Sequence, residues 1–346
     1  MSNRDDKGFV LPYVLLVLAI LAIVTIIAAE RLQNSTDVLS RMQDRSSHER
    51  LFATSEAEAV YSLLTGIVID SAIDLNPLSP VETEFGLFSS AGSLLPERDA
   101  EEIERDLWSG QGGFRVSTQS EGDVYIELRD VGGLVSLYAG NEADTLHVLG
   151  FLGLSKNKAR TLVAKLGDYT DADDNRRFKG AERADYRLRD KPPPTNSPLR
   201  NYNELAHVLG WQDMLNSIDI HELQKMTSLQ PMGVVRREFA TSELLKILGL
   251  DKDDNVPKNS QFNFGDLEAF SRTMSDTYRL TFWVKGLQGQ YHKRAIEIKR
   301  NANGIEKPFR RFWVYEATVL ENALGLKQNS INEMKNVIQA ESVRVP

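Results

Sequence analysis

Gly8-Phe-Val-Leu-Pro-Tyr-Val-Leu-Leu-Val-Leu-Ala-Ile-Leu-Ala-Ile-Val-Thr-Ile-Ile-Ala-Ala29 decides the architecture of this chain. It follows a short polar leader, Met1 to Lys7, and carries no charge from Phe9 to Ala29. Coiled as a helix at about 1.5 Å per residue it is roughly 32 Å long, enough to cross a bilayer core of about 30 Å. A cleaved secretory signal fits poorly, because its apolar region is only about 7–15 residues and ends in a small-residue site. Ile27-Ala28-Ala29 matches that site badly. A membrane anchor fits the length, but Arg4 and Lys7 beside Asp5 and Asp6 give little orientation signal.

Outside this run the composition is that of a globular protein, with 41% hydrophobic and 26% charged residues in 346. That length holds two domains of ordinary size beside the helix. The net charge of -8 argues against a general nucleic-acid binder, which needs a basic face. With no cysteine, disulfides, thiol catalysis and cysteine zinc sites are excluded.

Beyond Ala29, apolar or small residues recur at three- and four-residue steps through Leu32, Thr36, Leu39 and Met42, then Phe52, Val60, Leu63, Leu64 and Ile67. The spacing extends the helix to about Gly66 as an amphipathic half, roughly 85 Å in all. Residues 70 to 113, with Pro77, Pro80 and Pro96, read as loop with a short helix near 97–108. Phe114 to Gln119 and Asp123 to Asp130 read as a strand pair, since Val124, Ile126 and Leu128 alternate with polar neighbours. Ala143 to Leu152, Ser155 to Leu166 and Asn203 to Leu209 read as helices, and a loop spans Asp251 to Asn263. Strands are expected at Tyr278 to Lys285, Tyr291 to Lys299 and Phe309 to Glu316, followed by helix over 329–340.

The middle of the chain holds an acidic loop. Asp171, Asp173, Asn175 and Glu182 fall at positions one, three, five and twelve of an EF-hand calcium loop, but Arg176 stands where that loop needs glycine. Oxygen ligands at this density suit a hard cation, and extracellular-type modules bind calcium at about 10⁻⁴–10⁻³ M. The competing reading is a solvated acidic turn offset by Arg176 and Arg177.

No catalytic constellation emerges: there is no G-x-S-x-G, no phosphate-cradling glycine loop and no H-E-x-x-H. His147, in an apolar helix, is expected to be packed or hydrogen-bonded, and His207 to be a surface or cap residue. Trp108, Trp211, Trp283 and Trp313 read as core or interface residues. Leu149 to Ala159 resembles a helix-hairpin-helix turn, but Ser155 replaces its second glycine and the protein is acidic, so a protein-interaction role is favoured and no nucleic acid is expected.

Two stretches carry a family resemblance. Lys7-Gly8-Phe9 resembles the processing site of type IV prepilins and type II secretion pseudopilins. The resemblance implies cleavage by prepilin peptidase after Gly8 and N-methylation of Phe9. Those families usually carry Glu at the fifth mature position, where this chain has Tyr13. Absence of that carboxylate marks a subunit with nothing above it in the fibre, since an unpaired buried charge is costly. The second stretch is an ordered set: Asp130-Val-Gly-Gly-Leu-Val-Ser-Leu, then Asp168-Tyr-Thr-Asp-Ala-Asp173, Gly180-Ala-Glu182, Tyr186, Pro192-Pro-Pro-Thr-Asn196 and Tyr202-Asn-Glu-Leu205. It resembles the general secretion pathway protein K family, although Ser136, Tyr138 and Phe239 stand where that family has asparagines.

The resemblance implies an α+β fold: a pilin-like long N-terminal helix packed on a small antiparallel sheet, with a large all-helical domain inserted between strands. The expected division is a leader (1–8), the N-terminal helix (9–66, with 9–29 transmembrane), the first part of the pseudopilin domain (67–132), the helical insertion (133–235) and a second helical segment with the closing strands (236–346). It further implies a non-enzymatic minor pseudopilin at the tip of the type II secretion pseudopilus, helping to initiate its assembly. Its head would lie in the periplasm and its single span in the inner membrane. Implied partners are minor pseudopilins of I and J type, prepilin peptidase, and secreted cargo or the outer-membrane secretin. Structural calcium at Asp171, Asp173, Asn175 and Glu182 is implied as well. The alternative is a single-pass periplasmic interaction protein of another pilus-like or envelope machine.

Overall fold

A computed structural model describes residues 10–69, 71–75, 106–138, 140–250, 273–286, 290–301 and 307–320. The chain divides into two compact units, Met1–Leu51 and Phe52–Pro346. The Gly8-Phe9 junction, the loop from Asp251 to Asn263 and the helix expected over 329–340 lie outside the described residues.

The described part of the first unit belongs to helix α1, Val10–Thr65. Val14, Leu18, Ile20, Ile23 and Ile26 are exposed on it. A helix apolar all round needs an apolar surrounding, and α1 is the one helix among the described residues long and apolar enough to cross a membrane.

In the second unit, the end of α1 packs on an antiparallel sheet. Phe52, Ala59, Val60 and Leu63 form its buried stripe. The Arg294 guanidinium stacks 4.4 Å over the Phe52 ring. Ser117 Oγ donates to Glu58 Oε2 at 2.5 Å, and Arg311 pairs with Glu56. The helix ends at Thr65, one residue short of the expected Gly66, where Gly66 lies against the Ile73 side chain and Ile67 starts a strand.

Three short strands, β1 (Ile67–Ile69), β2 (Ala72–Asp74) and β3 (Leu107–Ser109), form one antiparallel sheet. Leu107–Ser109 is therefore strand where helix was expected; residues 97–105 fall outside the described set. Trp108 is buried there, its indole N–H donating to the Gly113 carbonyl at 2.9 Å.

The main sheet has the order β10-β9-β8-β5-β4, antiparallel throughout. Its strands are β4 (Gln111–Gln119), β5 (Gly122–Asp130), β8 (Thr277–Lys285), β9 (Gln290–Arg300) and β10 (Phe309–Leu320). β5 pairs with β8, placing Ile126 opposite Phe282 and Leu128 opposite Leu280. Strands separated by a long insertion are thus neighbours, and all residues from Thr277 to Val284 are buried. A central strand buried on both faces loses the alternation that marks a half-exposed one.

The insertion leaves the sheet at Asp130, whose buried carboxylate accepts from the Gly132 N–H at 2.6 Å and the Ser275 hydroxyl at 2.8 Å. Its entry strand β6 (Val135–Ser136) pairs in parallel with its exit strand β7 (Thr227–Ser228). Ser136 Oγ donates to the Gln230 carbonyl at 2.6 Å. Gly133 is obligatory at this neck, since a Cβ there would lie 2.2 Å from the Phe239 carbonyl oxygen. Phe239 is buried, with the Arg236 guanidinium 5.2 Å from its ring.

Between the two neck strands lie α2 (Glu142–Phe151), α3 (Lys156–Thr170), α4 (Arg183–Arg187), a 3-10 turn (Tyr202–His207), α5 (Trp211–Leu215) and α6 (Ile220–Met226). Asn141 and Asp219 accept from the N–H groups of Ala143 and His221, capping α2 and α6. Val148, Leu149, Leu162, Leu166, Tyr186 and Trp211 join one core. That core continues through Leu244 and Leu248 of α7 (Ser242–Leu248) to Ala295, Val314 and Tyr315 of the sheet. His147 is exposed beside Asp144 rather than packed, because it faces away from the buried Val148 and Leu149.

Candidate functional site

The acidic loop joins α3 to α4. Ala159, Leu162 and Leu166 bury one face of α3, and its last turn is buried all round, at Asp168, Tyr169 and Thr170. Asp168 is fully buried. Both its oxygens accept from the Arg177 backbone N–H at 3.2 Å, and its Oδ1 lies 3.4 Å from Arg177 Nη1. Gly180 packs against this carboxylate; a Cβ there would sit 1.9 Å from Asp168 Oδ2. Lys179 just before it takes the left-handed φ of 65°.

Asp171 closes α3. Its Oδ2 pairs with Arg177 Nη1 at 2.8 Å, while its Oδ1 is buried without a hydrogen-bond partner. Glu182, 7% exposed, precedes α4, and its N–H donates to Asp185 Oδ2 at 3.0 Å. Both carboxylate oxygens of Glu182 are buried and lack a hydrogen bond of good geometry, with only first-turn N–H groups, Arg183 foremost, near them. Burial and then the charges of Asp168, Asp171 and Asp174 push the Glu182 carboxyl above its ordinary range. Asp171 is pushed up by burial and by Asp173 and Asp168, against the opposing pull of Arg177.

The four residues read from the EF-hand spacing are divided by the structure. Asp171 and Glu182 belong to the buried cluster. Asp173 and Asn175 are exposed, and Asp173 Oδ1 accepts from the Asn175 N–H at 2.7 Å. Asp168, Asp174 and Arg177 are the members the spacing missed. Asp174 Oδ1 is held by Asn196 Nδ2 at 3.3 Å. The available signal was the three-residue step from Asp168 to Asp171, which puts two carboxylates on one helix face at its C-terminal turn. Among the described residues, no three acidic or histidine side chains converge closely enough to hold a metal as the loop stands. The donor set nevertheless fits a hard cation chemically: carboxylates only, two of them with buried oxygens that no cation meets.

Fold and site together define an α+β protein in which a membrane-length N-terminal helix leads into an antiparallel sheet interrupted by a helical domain with an acidic loop. Within that helical domain, residues 141–217 match the family described as Type II secretion system (T2SS), protein K. The chain is also similar to one in a crystal structure of the GspK-GspI-GspJ complex from the type 2 secretion system of enterotoxigenic Escherichia coli. The identity is 14% and the TM-score 0.44, over 80% of this chain and 99% of that one. Comparison with curated proteins gave no match.

Proposed function

We propose that this chain is a minor pseudopilin that caps the tip of a type II secretion pseudopilus and helps start its assembly, in a structural rather than catalytic role. The protein K domain at residues 141–217 is the observation that carries this reading. The membrane-length helix and Tyr13 support it. A subunit without a carboxylate at that position offers nothing to neutralise the terminal ammonium of a subunit above it, so it fits the end of a fibre. The span would sit in the inner membrane with the head in the periplasm, beside I- and J-type minor pseudopilins and facing cargo or secretin. In cells holding prepilin peptidase and the other pseudopilins, mass spectrometry of the mature chain should find N-methylated Phe9, and crosslinking should join it to the I and J types. An intact Met1 leader would sink the proposal.

Calcium as a structural ion of the acidic loop is part of the same reading. Glu182 and Asp171, with Asp168 or Asp174, would hold it, and the ion would supply the positive charge that the buried carboxylates lack. A carboxyl whose pKa is raised on folding stabilises the fold below its unfolded pKa, and that contribution is lost as pH rises through the folded value. At neutral pH without a cation, ionised Glu182 is therefore a cost. Glu182→Gln should stabilise the cation-free protein by about 1–2 kcal/mol and abolish its calcium-induced rise in melting temperature. A wild-type melt unmoved by calcium would exclude the ion.

A further inference from the structure

The loop's carboxylates outnumber its cations, and the one cation that reaches them is placed where it can leave. Arg177 is the only basic side chain in contact with Asp168 and Asp171 among the described residues. It neutralises one face of the cluster and leaves Asp171 Oδ1 without a hydrogen bond and the buried Glu182 oxygens with no cation, only the first-turn N–H groups of α4 near them. Its own side chain is 49% exposed; it makes two ion pairs and lies over Gly167, where a Cβ would sit 2.2 Å from Arg177 Nη1. Asp171 is thus shared: one oxygen faces Arg177 and the other faces away, unpaired.

We infer that Arg177 is a built-in competitor for a divalent cation at Asp171 and Glu182: the guanidinium occupies Asp171 Oδ2 in the cation-free loop and swings into solvent when the cation binds. This rests on the cation reading above. A divalent ion brings two charges to a cluster that one guanidinium only half neutralises, and like charges a few ångströms apart in a partly buried site repel. The competition keeps affinity weak, so the loop responds over a range of cation concentration instead of holding its ion permanently.

The test is titration of calcium chloride into the full chain in detergent micelles, followed by calorimetry, for wild type, Arg177→Gln and Arg177→Lys. Removing the charge should tighten calcium binding about threefold or more, while Lys should stay within about twofold of wild type. A smaller gain for Gln, weaker binding, or equal tightening by Lys overturns the inference and leaves the cation reading standing. No calcium binding in any of the three overturns both. Should Arg177→Gln fold only with calcium, recovery of its helical circular dichroism by millimolar calcium supports the competition. Failure to recover would make Arg177 an irreplaceable strut and overturn it.

Discussion

Arg279→Met should destabilise the head by about 3–5 kcal/mol in urea unfolding followed by tryptophan fluorescence. Arg279 lies on the central strand β8 and is 4% exposed; Glu297 on β9 is 2% exposed. Arg279 Nη2 meets Glu297 Oε1 at 2.5 Å, and its Nε lies 3.2 Å from the same oxygen. The guanidinium also donates to the Thr227 carbonyl at 2.7 Å and to the Gln224 carbonyl, at the point where α6 becomes β7. Ser228 Oγ donates to the other Glu297 oxygen at 3.1 Å, and the Tyr202 hydroxyl donates to the Thr227 carbonyl at 2.7 Å. Burial disfavours the charged guanidinium, but Glu297 and the surrounding acceptors outweigh it, so its pKa ends above the ordinary value. The network is therefore a charged latch by which the sheet grips the exit of the helical domain.

Methionine fills the space but leaves Glu297 charged and buried and takes a donor from the Gln224 carbonyl, while the Thr227 carbonyl keeps the Tyr202 hydroxyl. Breaking one side of such a pair costs far more than the pair is worth. Arg279→Met combined with Glu297→Leu should consequently recover most of the loss. A single variant within about 1 kcal/mol of wild type, the range of exposed pairs, would show that the latch is unimportant.

What could be read in the sequence depended on how far each element's signal is local. The long helix, the strand pair before Asp130, the three closing strands and the α2–α3 hairpin all carry apolar periodicity over many residues, and the structure places each within a few residues of expectation. The exceptions are short or set by distant partners. β1, β2 and β3 have three residues each, and β6 and β7 only two, with their partners across the insertion. Two or three residues cannot display a period. The five-residue helices α4 and α5 are shorter than two turns, so tertiary burial of Tyr186 and Trp211 holds them rather than propensity.

The acidic loop shows the same division. Its carboxylates were visible as a spacing, but the EF-hand template counts ligands and has no place for a resident arginine. Arg177 reaches back nine positions to Asp168 only because Lys179 and Gly180 turn the chain over that carboxylate. Burial, which separates Asp171 and Glu182 from Asp173 and Asn175, depends on the helices around the loop.

The second large effect is expected at Trp211. Its side chain is fully buried, and its indole N–H donates to the Leu162 carbonyl at 2.9 Å, tying the start of α5 to the middle of α3. Gly210 with φ of 87° turns the chain so that the indole enters the core. Short helices with one shared core cannot close over a void of that size, so Trp211→Ala should cost about 3–5 kcal/mol, the range for deleting a buried aromatic ring. Trp211→Phe should retain most of the stability, because Leu162 sits inside α3 and its carbonyl keeps a helical partner; the lost indole bond alone is worth about 1 kcal/mol. Hydrogen exchange should show protection falling first in α2, α3 and α5, with β5, β8 and β9 holding longest, since the sheet's own pairing does not pass through Trp211. Equal loss in helices and sheet would mean that the core through Ala295, Val314 and Tyr315 binds them into one cooperative unit. The distinction bears on the proposed role: it decides whether the domain at 141–217 can unfold in Trp211→Ala while the sheet stays folded.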